Sequence, residues 1–189
     1  MARAHTPKKE IEMFSPIKAR HVLDEIWNTK SAGTTLSWNT PVHFDPSLVP
    51  RLVAQHGELN TRFTALVAAL GKDPEASERA VRDCADQLHE LRRTEALWLY
   101  PVIARGFAPD PISRRLVWQS RLVMLGLARR LLRRFDELAR ATRSGTEVTS
   151  AAEHATTALA EYQRRNETEM YPLYNLMERL PVTPASRAA

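Results

Sequence analysis

Between Leu88 and Pro101 the chain reads LHELRRTEALWLYP, and one residue in it does not suit its position. Val81, Cys84, Leu88, Leu91, Trp98 and Val102 recur three or four apart, the spacing of one apolar helix face. Glu95 falls on the same face. A carboxylate buried there costs on the order of several kcal/mol unless it is paired, protonated or bound to a metal. The chemistry open to Glu95 is therefore metal ligation, acid–base pairing with a histidine, or a buried anion held by hydrogen bonds. Each needs partners from other elements.

The first long helix is expected to start near Pro46–Ser47, with Leu48, Leu52, His56, Leu59, Phe63, Leu66 and Leu70 as its seam and Gly71 as its end. His56 is thus a second polar residue on a buried face. The second helix is expected from Glu75 to Tyr100, stopped by Pro101. The third is expected from Ile112 to Thr142, with Leu116, Val123, Leu127, Leu131 and Leu138 inward and Gln119 or Ser120 between the first two. The fourth is expected from Val148 to Tyr171, continuing past Pro172 to Glu178, on a stripe of Val148, Ala152, Ala155, Leu159, Tyr162, Met170 and Leu173. Four such helices joined by short turns predict an all-α fold, an up-down-up-down antiparallel four-helix bundle over residues 47–178. Residues 1–46 are expected to form an N-terminal arm with a short helix ending near Asn28, and residues 179–189 a flexible tail.

Placing Pro101 over Pro172 sets WLYPVI against EMYPLY, a weak internal repeat. Glu95 then corresponds to Asn166 and Leu91 to Tyr162. Leu91 and Glu95, and likewise Tyr162 and Asn166, are one helical turn apart and point to one level of the interior. The predicted central polar layer is His56, Glu95, Gln119 or Ser120, Tyr162 and Asn166, with Tyr162 O–H and Asn166 N–H as donors to Glu95 and His56 as its ion-pair partner.

A seam histidine on the first helix, and second and fourth helices ending in Leu/Met-Tyr-Pro, resemble the hemerythrin-like (HHE cation-binding) domain over roughly residues 46–178. The resemblance implies a non-haem di-iron centre, held by histidines and two carboxylates, that binds or senses oxygen, nitric oxide or iron. It puts His56 at the first-helix ligand position and Glu95 at the second-helix carboxylate. Leu91, Tyr162 and Asn166 replace the remaining ligands of the second and fourth helices, and the third helix has no histidine. A remodelled mononuclear site would use His56, Glu95, Tyr162 and Glu167. A metal-free member would keep the layer as a hydrogen-bond network, and that is the expectation here: no cofactor, with non-haem iron as the alternative.

Composition narrows the function. There are 189 residues with only six glycines, no apolar run long enough for a membrane span, and no apolar segment behind the charged N-terminus. The single cysteine, Cys84, reads as buried filler and fits a reducing cytoplasm. No glycine-rich phosphate loop or nucleophile constellation supports an enzyme. The net charge of +5 permits an acidic partner. Arg129, Arg130, Arg133 and Arg134 on the third helix are the candidate contacts, since arginine suits carboxylate and phosphate recognition. Without a recognition helix or interleaved aromatics, nucleic acid is not the expected partner. The resulting expectation is a non-enzymatic cytoplasmic regulatory or adaptor protein that binds a protein partner or a small anionic ligand.

Overall fold

Over the residues that the computed structural model describes, 43–179, helices joined by short turns make up the chain, with no strand among the described residues. The expected short helix of the arm and the tail beyond residue 179 lie outside them. The chain divides into two units, Met1–Pro41 and Val42–Ala189, and the described residues belong to the second.

Helix α1 is Leu48–Ala69 and buries Leu48, Leu52, His56, Leu59, Phe63 and Leu66. It stops ahead of Gly71, whose φ of +83° lies in the region that side chains resist. Helix α2, Pro74–Thr94, begins where Asp73 accepts the Ala76 amide at 3.0 Å and proline takes the first helical position. It does not end at Pro101. A π-helical turn, Glu95–Leu99, carries it into α3, Tyr100–Gly106. Helix α4, Pro111–Ser144, starts on Asp110, which accepts the amides of Ile112 and Ser113, and ends at Gly145 with φ +69°. Helix α5, Val148–Arg165, runs through a second π turn, Asn166–Met170, into α6, Tyr171–Leu176.

Four helical rods result. Helix α1 packs on α2, α2 on α4 and α4 on α5, and α1 also meets α5 and α6. A four-helix bundle fits these contacts. One hydrophobic cluster draws residues from every rod, with the rings of Phe63 and Phe135 5.5 Å apart inside it.

The π turns correct the expected register. Proline has no N–H to give and its ring presses on the carbonyl four residues back, which is Leu97 for Pro101 and Thr168 for Pro172. The ladder widens just ahead of each proline, so that the Tyr100 amide donates to the Glu95 carbonyl and the Tyr171 amide to the Asn166 carbonyl, both five residues back. One residue is in effect added to the turn. The inward stripe passes from Glu95 to Leu99 and Ile103, and Trp98, expected inside, is 59% exposed.

The α4 stripe also differs from expectation. Leu116 and Val123 are exposed, and Val117, Met124, Leu131 and Leu138 form the buried heptad with Ala128, Phe135 and Thr142 beside it. With Leu127, expected and found inside, these eight centre the buried arc about 75–95° from Leu116 and Val123 at 100° per residue. Gln119, on the same side as Leu116, is exposed as well, and Ser120 is only half-buried.

The register of the first π turn is testable by stability. Leu99→Ala should cost about 2–5 kcal/mol in urea unfolding, whereas Trp98→Ala, though the larger truncation, should cost less than about 1 kcal/mol. The reverse order would place Trp98 in the core and remove the π register.

Candidate functional site

Glu95 opens the first π turn and is 1% exposed. Its Oε2 accepts the Tyr162 hydroxyl at 2.7 Å and, more weakly, the Tyr100 hydroxyl at 3.4 Å, while its Oε1 accepts the Asn166 amide at 2.9 Å. Three donors from α3, α5 and the second π turn thus surround one carboxylate. Hydrogen bonds to a charged group contribute about 1.5–3 kcal/mol each, enough in sum to offset a desolvation of several kcal/mol. The π turns make this layer possible. Tyr100 and Tyr171 sit five residues beyond Glu95 and Asn166, and the widened turns bring them inward with those residues.

His56 reaches the layer from α1. Its Nε2 lies 3.7 Å from Glu95 Oε1, beyond hydrogen-bond reach, and neither ring nitrogen has a hydrogen-bond partner. Its ring packs against Tyr162 at 5.6 Å and edge-on to Tyr171 at 6.2 Å. Asn166 Oδ1 and the Tyr171 hydroxyl are also buried without a partner.

The phenols are neutral, and two of them, Tyr100 and Tyr162, donate to Glu95. Burial, and then the negative charge of Glu95, push the hydroxyls of Tyr100, Tyr162 and Tyr171 above the ordinary phenol range. The guanidinium of Arg121 lies over the Tyr100 ring, 5.2 Å from its centroid.

Of the residues expected in the layer, the structure brings together His56, Glu95, Tyr162 and Asn166. It leaves out Gln119, which is exposed, and Glu167, which is exposed and accepts the Gln163 amide at 2.8 Å. Tyr100 and Tyr171 are the members that sequence reasoning missed. Their signal was the Tyr-Pro pair at the same distance from Glu95 and Asn166, which the repeat alignment contained without revealing the π turns.

A di-iron centre does not fit these donors. Among the described residues no three of His, Cys, Asp and Glu converge to hold a metal. The carboxylate oxygens are occupied by N–H and O–H donors, the phenols are held protonated, and apolar Leu91 lies on the inner face one turn before Glu95. A solvent-open groove of about 440 Å³ between α1 and α2, lined by Gln55, Glu58, Arg62, Asp83, Gln87 and Leu91 among others, does not include His56 or Glu95. Cys84 is buried, and burial pushes its thiol up to about 11.

The candidate partner arginines divide into two pairs. Arg130 faces Glu161 at 3.2 Å and Arg134 faces Glu137 at 2.6 Å. Arg129 and Arg133 are exposed and make no ion pair among the described residues. No helix among those residues is long and apolar enough to cross a membrane.

No family model, curated protein or solved structure matches this chain.

Two outcomes follow from the layer. Glu95→Ala strands three buried donors and should lower stability by about 3–5 kcal/mol, and Glu95→Gln, which keeps an acceptor, by about 1–3 kcal/mol. Unchanged melting in Glu95→Ala would remove the buried network. The second outcome concerns alkali. A phenol held above its unfolded value of 10.0 stabilises the folded state fully below that pH and loses the contribution as pH rises through the folded value. Melting temperature should therefore fall steadily above about pH 10, and less steeply in Tyr162→Phe. Equal slopes in the two proteins would contradict the assignment to Tyr162.

Proposed function

We propose that this chain is a non-enzymatic cytoplasmic regulatory or adaptor protein, built as an up-down-up-down four-helix bundle of hemerythrin-like type. In this reading the ligand layer has become a structural hydrogen-bond network, and the output is a contact between α4 and an acidic surface of a protein partner. One observation carries it. Helix α4 holds nine arginines against two carboxylates, Asp136 and Glu137, a net +7 in a chain whose total is only +5. The positive charge of the protein is therefore concentrated on one helix, where it can steer and hold an anionic partner.

The inner layer supports the same reading. A carboxylate enclosed by three donors stabilises the fold at the cost of its own reactivity, because a general base needs a free lone pair that faces substrate. The activity accordingly lies on the surface.

Titration of the full chain with labelled poly-glutamate at low salt provides the test. Arg129→Glu combined with Arg133→Glu should weaken binding about tenfold or more. Arg130→Ala with Arg134→Ala should change it less, since those guanidinium groups are already paired within the chain. Added salt should weaken binding of the unaltered protein as the Debye length contracts toward about 3 Å. Indifference to the Arg129 and Arg133 reversals would overturn the α4 reading. Displacement of the poly-glutamate by millimolar inorganic phosphate would assign the surface to a small anionic ligand instead.

A further inference from the structure

The outward face of α4 is not uniformly charged. Opposite the buried heptad, steps of three and four residues lead from Trp118 through Leu122, Gly126 and Arg129 to Arg133, within one narrow arc of the helix. Trp118 is 44% exposed, Leu122 is half-buried, and Arg129 and Arg133 are exposed. Gly126 is exposed too, and nothing lies within 4 Å of where its Cβ would be. The stripe is thus apolar along its first half and cationic along its second, over about 22 Å of helix.

Glycine weakens a helix interior, so its presence asks for a reason. At Gly126 the chain itself offers none: the backbone is not in the left-handed region and no neighbouring atom crowds the position. A bare step in the stripe, one turn from a half-buried leucine and two from an exposed tryptophan, lets another backbone approach closely. Tryptophan and arginine are also the side chains that most often carry binding energy at interfaces.

We propose that this stripe seats an acidic amphipathic helix of a protein partner. Its apolar side chains lie on Trp118 and Leu122 and cross the gap at Gly126, and its carboxylates meet Arg129 and Arg133, whose planar forks suit them. This docking presupposes that α4 is the binding surface, as proposed above, and adds the chemistry of the occupant. A nucleic acid suits the stripe less well, because its first half is apolar and only Arg129 and Arg133 along it are cationic, whereas a phosphate backbone is held by a row of cations. A lipid surface suits it less well too, because an interfacial helix carries its apolar residues along its whole length on one side, whereas here apolar and cationic segments follow end to end.

Fluorescence anisotropy with the full chain at low salt distinguishes these occupants. The probes are a helical peptide of Leu/Glu heptads about 20 residues long, roughly 30 Å, poly-glutamate of the same length, a short DNA duplex and phosphatidylserine vesicles. The heptad peptide should bind about tenfold tighter than poly-glutamate. Trp118→Ala and Gly126→Leu should each erase that advantage while leaving poly-glutamate binding unchanged. Both positions are on the solvent side, and Gly126→Leu raises helix propensity, so loss of fold does not account for such a result; circular dichroism melting of each variant checks this. Equal binding of the two acidic peptides, or no response to either substitution, overturns the amphipathic-helix proposal and leaves α4 standing as an anion-binding surface. Binding of neither acidic peptide removes both readings. Tighter binding of the duplex or the vesicles overturns the protein partner.

Discussion

A buried carboxylate with a single charge organises the interior of this protein. Glu95 has left water completely, and its cost is offset only if donors surround it at hydrogen-bond distance. Tyr162, Tyr100 and Asn166 supply them from different segments, so the helices must adopt the one register that brings all three to the same level. The π turns serve that register. Each lies directly ahead of a Tyr-Pro pair, and each begins with a residue of the polar layer. Proline, π turn and buried polar side chain thus form one arrangement, present twice in the chain. The two copies differ in charge, Glu95 in the first and Asn166 in the second, and that difference makes one the acceptor and the other a donor.

His56 stands apart within this layer. Its ring is enclosed by Tyr162 and Tyr171, and its Nε2 lies 3.7 Å from Glu95 Oε1, yet both nitrogens lack hydrogen-bond partners, as do Asn166 Oδ1 and the Tyr171 hydroxyl. Satisfaction is therefore concentrated on the carboxylate and thins out toward α1. This follows the relative cost of the groups, since an unpaired buried charge is far more expensive than an unpaired imidazole or hydroxyl.

The outer surface follows a different logic. Helix α4 presents its Val117–Met124–Leu131–Leu138 heptad inward and most of its arginines outward, Arg121 over the Tyr100 ring excepted, so that one element serves both core and surface. Inward packing holds the 34-residue helix in place, and the outward stripe is then displayed on a rigid rod. Arg130 and Arg134, nearer the flanks, find carboxylates within the chain, while Arg129 and Arg133 on the outermost arc find none among the described residues.

The sequence by itself determined the helices, most of their ends, and the residues that break the apolar pattern. Asp73, Asp110, Gly71 and Gly145 act locally, through caps and backbone conformation, and His56, Glu95, Tyr162 and Asn166 stand out because a helical period of 3.6 is strict. Tertiary structure decided what that period cannot carry across a distortion. A π turn adds a residue to the ladder, so Trp98 moved out, Leu99 moved in, and Tyr100 and Tyr171 reached a layer for which a regular helix gives no place. On α4, Leu116 and Val117 lie 100° apart and either could have begun the stripe. The choice of Val117 was made by packing further along, through Ala128, Phe135 and Thr142, and it took Gln119 out of the layer as well. Local rules act within a turn or two. The register of a buried charge is set by donors 67 and 71 residues away in sequence, and only the folded chain brings them together.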